Sequence, residues 1–171
     1  MKRIRKPLIL LFAIMLSGFS NAQAKGREHS GRYVWNVELD AGTTLSRTFI
    51  ASVLTSHGYS LDTGLYLGVG AGLTINPYDS GNFVMPLFAD VKYRFVNNSV
   101  CSPYLSMKIG STFYMEDVTA GLLLKPAIGV DIKNYSLHLE YGLYTGVEVT
   151  GILQRNEFTK HSLTVGVSRW F

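Results

Sequence analysis

The feature that most constrains the fold is an alternation of apolar residues with polar or small ones, which recurs along residues 33–171. Alternation with a period of two places successive side chains on opposite faces of a β-strand. Turn residues such as Asn76-Pro77 and Lys133-Asn134 separate the alternating segments. The sequence therefore predicts an all-β chain with eight strands, at residues 33–42, 49–58, 63–75, 83–96, 103–114, 120–133, 135–149 and 161–171.

One face of these strands is almost entirely apolar, and Arg169 at the chain end is the one charge on it. The opposite face is polar and rich in glycine. A soluble barrel or sandwich would expose that face, where glycine has no reason to gather. In a narrow closed lumen, small residues must oppose large ones. The glycines assigned to this face are Gly42, Gly64, Gly68, Gly70, Gly72, Gly110, Gly121, Gly129, Gly142, Gly146 and Gly166.

This polarity is inside out, with the apolar face toward lipid and the polar face toward the lumen. Alternating segments of about ten residues between turns are typical of transmembrane β-barrels. A closed barrel can span a bilayer because all its backbone groups are hydrogen-bonded between strands. We therefore predict an eight-stranded antiparallel up-and-down transmembrane β-barrel over residues 33–171. The segment 49–58 fits neither face cleanly, so its faces stay unassigned, and a β-bulge there is one explanation.

Aromatic residues gather near the predicted strand ends, as expected for girdles at two membrane interfaces. One group comprises Tyr33, Trp35, Tyr59, Tyr93, Phe95, Tyr104, Tyr135, Trp170 and Phe171. The other comprises Phe49, Tyr78, Phe83, Phe113, Tyr114 and Phe158. An aliphatic band separates the two groups.

Charged side chains on the polar face are expected to neutralise one another inside the barrel, since an unpaired buried charge is very costly. We interpret them as a structural network rather than as a catalytic, cofactor or metal site. Its predicted members are Glu38, Asp40, Asp90, Lys92, Arg94, Lys108, Lys125, Asp131, His138 and Glu140.

The same face also allows two enzymatic interpretations. Paired carboxylates of a glycosidase could be Glu38 with Asp40, or Glu140 with Glu148. Alternatively, His138 could act as a base beside Asp131 across the 133–134 hairpin, with Ser106 or Ser136 as the nucleophile. Lumen pairing explains the same residues without catalysis, and we favour it.

The first 24 residues have the organisation of a cleaved signal peptide. Four cations lie within the first six residues, the apolar run Leu8–Leu16 follows, and Ala22-Gln23-Ala24 forms a small-residue cleavage site. The chain has 16 Lys and Arg and 12 Asp and Glu. Removing residues 1–24 leaves 12 of each sign, so the net positive charge belongs to the leader and indicates no nucleic-acid partner. Residues 25–32 are predicted to be a flexible lead.

Cys101 is the one cysteine of the chain, which excludes a disulfide framework and a cysteine metal site. It lies in a predicted turn. It is interpreted as a tolerated thiol, with intermolecular pairing as the alternative.

The segment Val165-Gly166-Val167-Ser168-Arg169-Trp170-Phe171 resembles the C-terminal signal of bacterial outer-membrane proteins. Together with the leader and eight strands, the chain resembles small barrels of the OmpA/OmpX type. The segments His57-Gly58-Tyr59 and Gly68-Val69-Gly70-Ala71-Gly72 are similar to the Bacteroides-like outer-membrane barrel family.

The resemblance implies the outer membrane of a Gram-negative bacterium, with both termini periplasmic. It further implies monomers embedded in outer-membrane lipid, with Trp170 and Phe171 read by the barrel-assembly machinery. Turns near 59–62, 97–101 and 133–135 would face the periplasm, and loops near 43–48, 76–82, 115–119 and 150–160 would face outward.

The sequence thus favours a non-enzymatic outer-membrane barrel with a closed polar lumen and a structural or surface-interaction role. The alternative function is slow transport or small-ligand binding. A membrane-embedded lipid acyltransferase and a soluble lipocalin-like binder fit the pattern less well.

The leader generates the first prediction. Because the A-x-A triplet ends at Ala24, the exported protein should begin at Lys25. Intact-mass spectrometry of the protein from an outer-membrane fraction checks this. Retention of residues 1–24 in that fraction would contradict the export argument.

Overall fold

The computed structural model describes residues 31–75, 83–95, 100–114, 119–150 and 154–171, with the side chains of 114, 119–120, 147–150 and 154–158 outside the description. The eight strands are β1 (Arg32–Thr44), β2 (Phe49–Ser60), β3 (Leu65–Ile75), β4 (Phe83–Arg94), β5 (Cys101–Tyr114), β6 (Thr119–Ile132), β7 (Tyr135–Thr150) and β8 (Gln154–Trp170). Each strand pairs antiparallel with the next along the chain, and β1 pairs with β8 to close the barrel. The predicted fold class is confirmed.

The main difference from the predicted strands is that β8 begins at residue 154 instead of 161. The predicted signal peptide and residues 25–30 of the predicted lead lie outside the described residues, while Arg32 already begins β1. Among the described residues, no helix is long and apolar enough to span a membrane.

The barrel has two distinguishable ends. At the terminal end lie residues 31, 95, 100 and 171 and the connections 61–64 and 133–134. At the loop end lie the connection 45–48 and the opposite ends of the strands, among them Ile75 and Phe83. Gly64, which the sequence placed on a strand face, lies in the turn 61–64 with φ of 85°, a conformation that glycine adopts readily.

The two faces of the wall have the predicted polarity. Among outward side chains, Leu139 is 42% exposed and Val69 is 56% exposed. Among inward side chains, Glu140 is 0% exposed and Lys108 is 3% exposed. An apolar outer surface around a polar interior is the arrangement of a barrel that spans a bilayer.

Strand β2 has a regular register with both neighbours, so the bulge considered for it is absent from the described residues. Its faces were ambiguous because Ile50 and Leu54 point inward while Thr55 and His57 point outward. The inward side chains pack into an apolar lumen cluster, which corrects the expectation of a uniformly polar lumen. This cluster comprises Ile50, Leu54, Phe88, Leu123 and Tyr144.

The aromatic girdles are present on the outside, with Tyr93 and Tyr135 exposed at the terminal end and Phe49 and Phe83 at the loop end. Tyr104 is 4% exposed and faces the lumen, so its assignment to a girdle is wrong. Trp170 also faces inward, against the lumen-facing ring of Tyr66 at a centroid distance of 5.0 Å. Tyr78 and the side chains of Tyr114 and Phe158 lie outside the described part of the chain.

The outer face generates a prediction about charge. The substitution Leu139→Arg puts a cation in the apolar band and should lower the free energy of unfolding by roughly 2–4 kcal/mol. Leu45→Arg is the matched control, because Leu45 lies in the loop-end connection and is 69% exposed. Urea titration of protein refolded in lipid vesicles measures both. Equal losses would contradict the assignment of the β7 faces.

Candidate functional site

The most concentrated chemistry of the barrel is the central charge cluster, formed inside the lumen by Glu38, Asp40, Lys108, Lys125, His138 and Glu140. The ammonium group of Lys108 lies 2.7 Å from Oε1 of Glu38 and 2.7 Å from Oε2 of Glu140. Lys125 pairs with Oε1 of Glu140, and its Nζ lies 3.6 Å from Oδ2 of Asp40. Two buried lysines therefore link three buried carboxylates.

His138 completes this cluster, but not with the partner considered from the sequence. Its Nε2 lies 3.0 Å from Oδ1 of Asp40, whereas Asp131 pairs elsewhere. The reason is the register, because Gly166 on β8 is opposite Asp40 on one side and opposite His138 on the other. A Cβ atom on Gly166 would overlap both side chains. The missing side chain leaves the notch in which they meet.

A second group of polar contacts lies nearer the terminal end. Asp131 accepts hydrogen bonds from Lys92 Nζ and Arg94 Nε, each at 2.6 Å, and from the hydroxyl of Ser136. Ser136 in turn accepts from Trp170 Nε1 at 2.7 Å. The Lys92 ammonium also lies 3.7 Å from the ring centroid of Tyr104 and 4.4 Å from that of Trp170. Aromatic faces thus add to the stabilisation of this buried cation.

Asp90 lies between the two groups, on β4, and is 4% exposed. It lines a cavity of about 10 Å³ together with Glu38, Lys108 and His138. One water molecule needs about this volume and two to four polar partners. The lumen space at this point therefore fits a single bridging water rather than a substrate.

The central cluster has the donor types of a cation site, since ligand atoms of Glu38, Asp40, His138 and Glu140 all lie within 4.8 Å of one another. Lys108 and Lys125 already stand among these oxygens. The cations that the carboxylates hold are therefore the two ammonium groups.

The structure separates His138 from Asp131 and Ser136, whereas Ser106, the other serine considered from the sequence, lines the same small cavity as His138. The hydroxyl of Ser136 donates to Asp131 and not to His138. Of the glycosidase pairs, Glu38 contacts Lys108 while Asp40 contacts His138 and Lys125, so each carboxylate of the first pair has a cationic or imidazole partner of its own. Glu148 has its side chain outside the described part of the chain.

No family model matches the sequence, and no curated protein matches it. Its fold is similar to that of the outer membrane enzyme PagL, with a TM-score of 0.62 and 15% identity over 78% of this chain and 98% of that one. The N-terminal β-barrel domain of Pseudomonas aeruginosa OprF gives a TM-score of 0.51 and 14% identity, over 83% of this chain and 100% of that one. Neisserial surface protein A gives a TM-score of 0.51 and 18% identity, over 85% and 100%.

These similarities concern the fold. The resemblance to eight-stranded outer-membrane barrels of the OmpA/OmpX type is confirmed at that level. The chain is an eight-stranded transmembrane β-barrel.

The glycine notch generates a prediction. Gly166→Ala should destabilise the barrel by roughly 1–3 kcal/mol, because the added methyl group overpacks the site and separates His138 from Asp40. Ser162→Ala, on the same strand face, should be nearly neutral, since no hydrogen-bond partner of its hydroxyl is found among the described residues. Denaturant unfolding in lipid measures both. A Gly166→Ala protein as stable as the Ser162→Ala protein would contradict the notch.

Proposed function

We propose that this chain is an integral outer-membrane barrel with a closed lumen and a structural or surface-interaction role, without enzymatic activity. The leader at residues 1–24 supports export, and the apolar outer face supports insertion into a bilayer. The fold shared with outer-membrane barrels supports that membrane in particular. The terminal end then faces the periplasm and the loop end faces outward.

We further propose that the barrel-assembly machinery reads Trp170 and Phe171 in the unfolded chain. In the folded barrel, Trp170 turns into the lumen and Phe171 stacks on Trp35 at a centroid distance of 4.2 Å. Both rings are thus engaged by the barrel itself once it has closed, which fits a signal needed only during insertion.

The observation that carries the closed lumen is that two adjoining layers of side chains fill it, one charged and one apolar, which meet where Leu54 is opposite Glu38 in the strand register. The central charge cluster fills one level with paired side chains. The apolar lumen cluster extends toward the loop end, where Ile50 is the second residue of β2. Ions cross neither layer easily, because the first offers no free charge and a hydrophobic constriction excludes water.

Slow transport or small-ligand binding is the second candidate function. Each alternative function needs a structural feature by which it can be distinguished. Transport requires a water path, and an acyltransferase requires a nucleophile beside a base. A soluble lipocalin-like binder requires a polar outer face, which the exposed side chains of Leu67, Val165 and Ile109 disfavour.

The experiment is single-channel recording in planar bilayers. The unmodified barrel should show negligible conductance. The variant K108A/E140A removes one charge of each sign, and L54A/L123A thins the apolar lumen cluster. Each double variant should stay closed because the other layer remains, whereas the combined fourfold variant should leak.

Heat-modifiable gel mobility and circular dichroism serve as controls that every variant has folded. Steady ohmic currents from the unmodified protein would overturn the closed lumen and place transport first. A fourfold variant that is folded and still closed would show that the two layers are not the barrier.

A further inference from the structure

The outer wall carries an apolar groove of about 530 Å³ that crosses β4 to β8. Most of its lining follows two adjacent rows of the strand register, and the register pair Ser106 and Ala127 completes it. One row runs Tyr93, Leu105, Ile128 and Leu139, and the other runs Val91, Met107, Pro126, Tyr141 and Leu163. The tyrosine hydroxyl of Tyr141 is directed to His161, with Oη 2.6 Å from Nδ1. The groove itself is therefore lined mainly by hydrocarbon and aromatic surface.

Pro126 marks the centre of this groove. The β6–β7 ladder runs through Leu124 with Leu143 and resumes at Ala127 with Glu140, so the two intervening pairs are not bridged. Proline has no N–H to donate to the ladder, which accounts for the interruption. On its other side, Pro126 stays in register with Met107 on β5. The β6–β7 ladder is thus interrupted at Pro126, as the β3–β4 ladder is at Pro86, while β5 and β6 stay in register along Pro126.

The groove begins at the membrane interface and deepens obliquely. Tyr93 is one residue from the end of β4, within the aromatic girdle at the terminal end. Leu163 is seven residues before Trp170, the last residue of β8. Four steps between neighbouring strands span about 19 Å. With strands tilted by about 40°, such a row climbs about 12 Å through the membrane.

That climb is comparable to one leaflet, since the hydrocarbon core is about 30 Å thick in total. A groove two side chains wide, entered from the interface and ending inside one leaflet, has the shape of a single extended hydrocarbon chain. A second barrel presents a convex wall that cannot fill such a concavity. The groove is also continuous with the lipid-facing band around it, so it stays within hydrocarbon along its length.

We infer that the groove over Pro126 is a binding site for one acyl chain of a phospholipid from the terminal-end leaflet. The headgroup lies beside Tyr93 and the chain end lies against Tyr141 and Leu163. This inference rests on the proposed membrane location. One side of the barrel would then hold a single phospholipid for longer than the lipids that contact the other strands, which exchange freely.

The test uses the refolded full barrel in detergent with dipalmitoylphosphatidylethanolamine as the probe, read by native mass spectrometry. The unmodified barrel should retain one phospholipid. Met107→Trp fills the groove floor and should reduce the retained fraction at least fivefold. Val53→Trp, on the outward face of β2 and 50% exposed, is the matched control and should retain lipid normally.

A second arm locates the chain in vesicles that contain a phosphatidylethanolamine with a photoreactive acyl tail. Cross-links should concentrate on the outward lining residues of the groove, such as Leu105, Met107 and Leu139. If the outward faces of all strands were labelled evenly, the site would be overturned. Equal loss of lipid in Met107→Trp and Val53→Trp would overturn it as well. Cross-links to a second barrel copy would overturn the choice of occupant. Failure to insert into vesicles at all would instead overturn the membrane location.

Discussion

The narrowness of an eight-stranded barrel governs the rest of this structure. Such a barrel encloses a space just wide enough for its own side chains, so charged groups inside it cannot rely on water. In the described lumen, charged groups form direct ion pairs instead. Examples are Lys108 Nζ with Glu38 Oε1 at 2.7 Å and Lys92 Nζ with Asp131 Oδ1 at 2.6 Å. Glycines on the same face leave the room that these long side chains need.

The faces of most strands could be predicted from the sequence because a period of two is a local property. The prediction stopped at β2, where Ile50 and Leu54 face the lumen and Thr55 and His57 face outward. Alternation identifies which residues share a face. It identifies the direction of that face only when one side is clearly more polar.

Pairing inside the lumen was less predictable, because it depends on register between strands that are distant in sequence. His138 is close in sequence to Asp131, yet it meets Asp40, which is 98 residues away. The deciding residue is Gly166, whose position opposite both side chains follows only from the closed register. Similarly, Tyr104 and Trp170 lie near strand ends like girdle residues, but their inward direction takes them to Lys92.

Lys108 has a mechanical consequence as well as an electrostatic one. It projects from β5, and Glu38 projects from β1, which is four strands away in either direction and therefore on the opposite side of the barrel. A closed ladder of hydrogen bonds fixes the circumference of a barrel but leaves it free to flatten. A salt bridge across the diameter fixes the width as well, and thereby holds the cross-section round. The curvature of the outer wall is then set from the inside, by an ion pair that never meets the membrane.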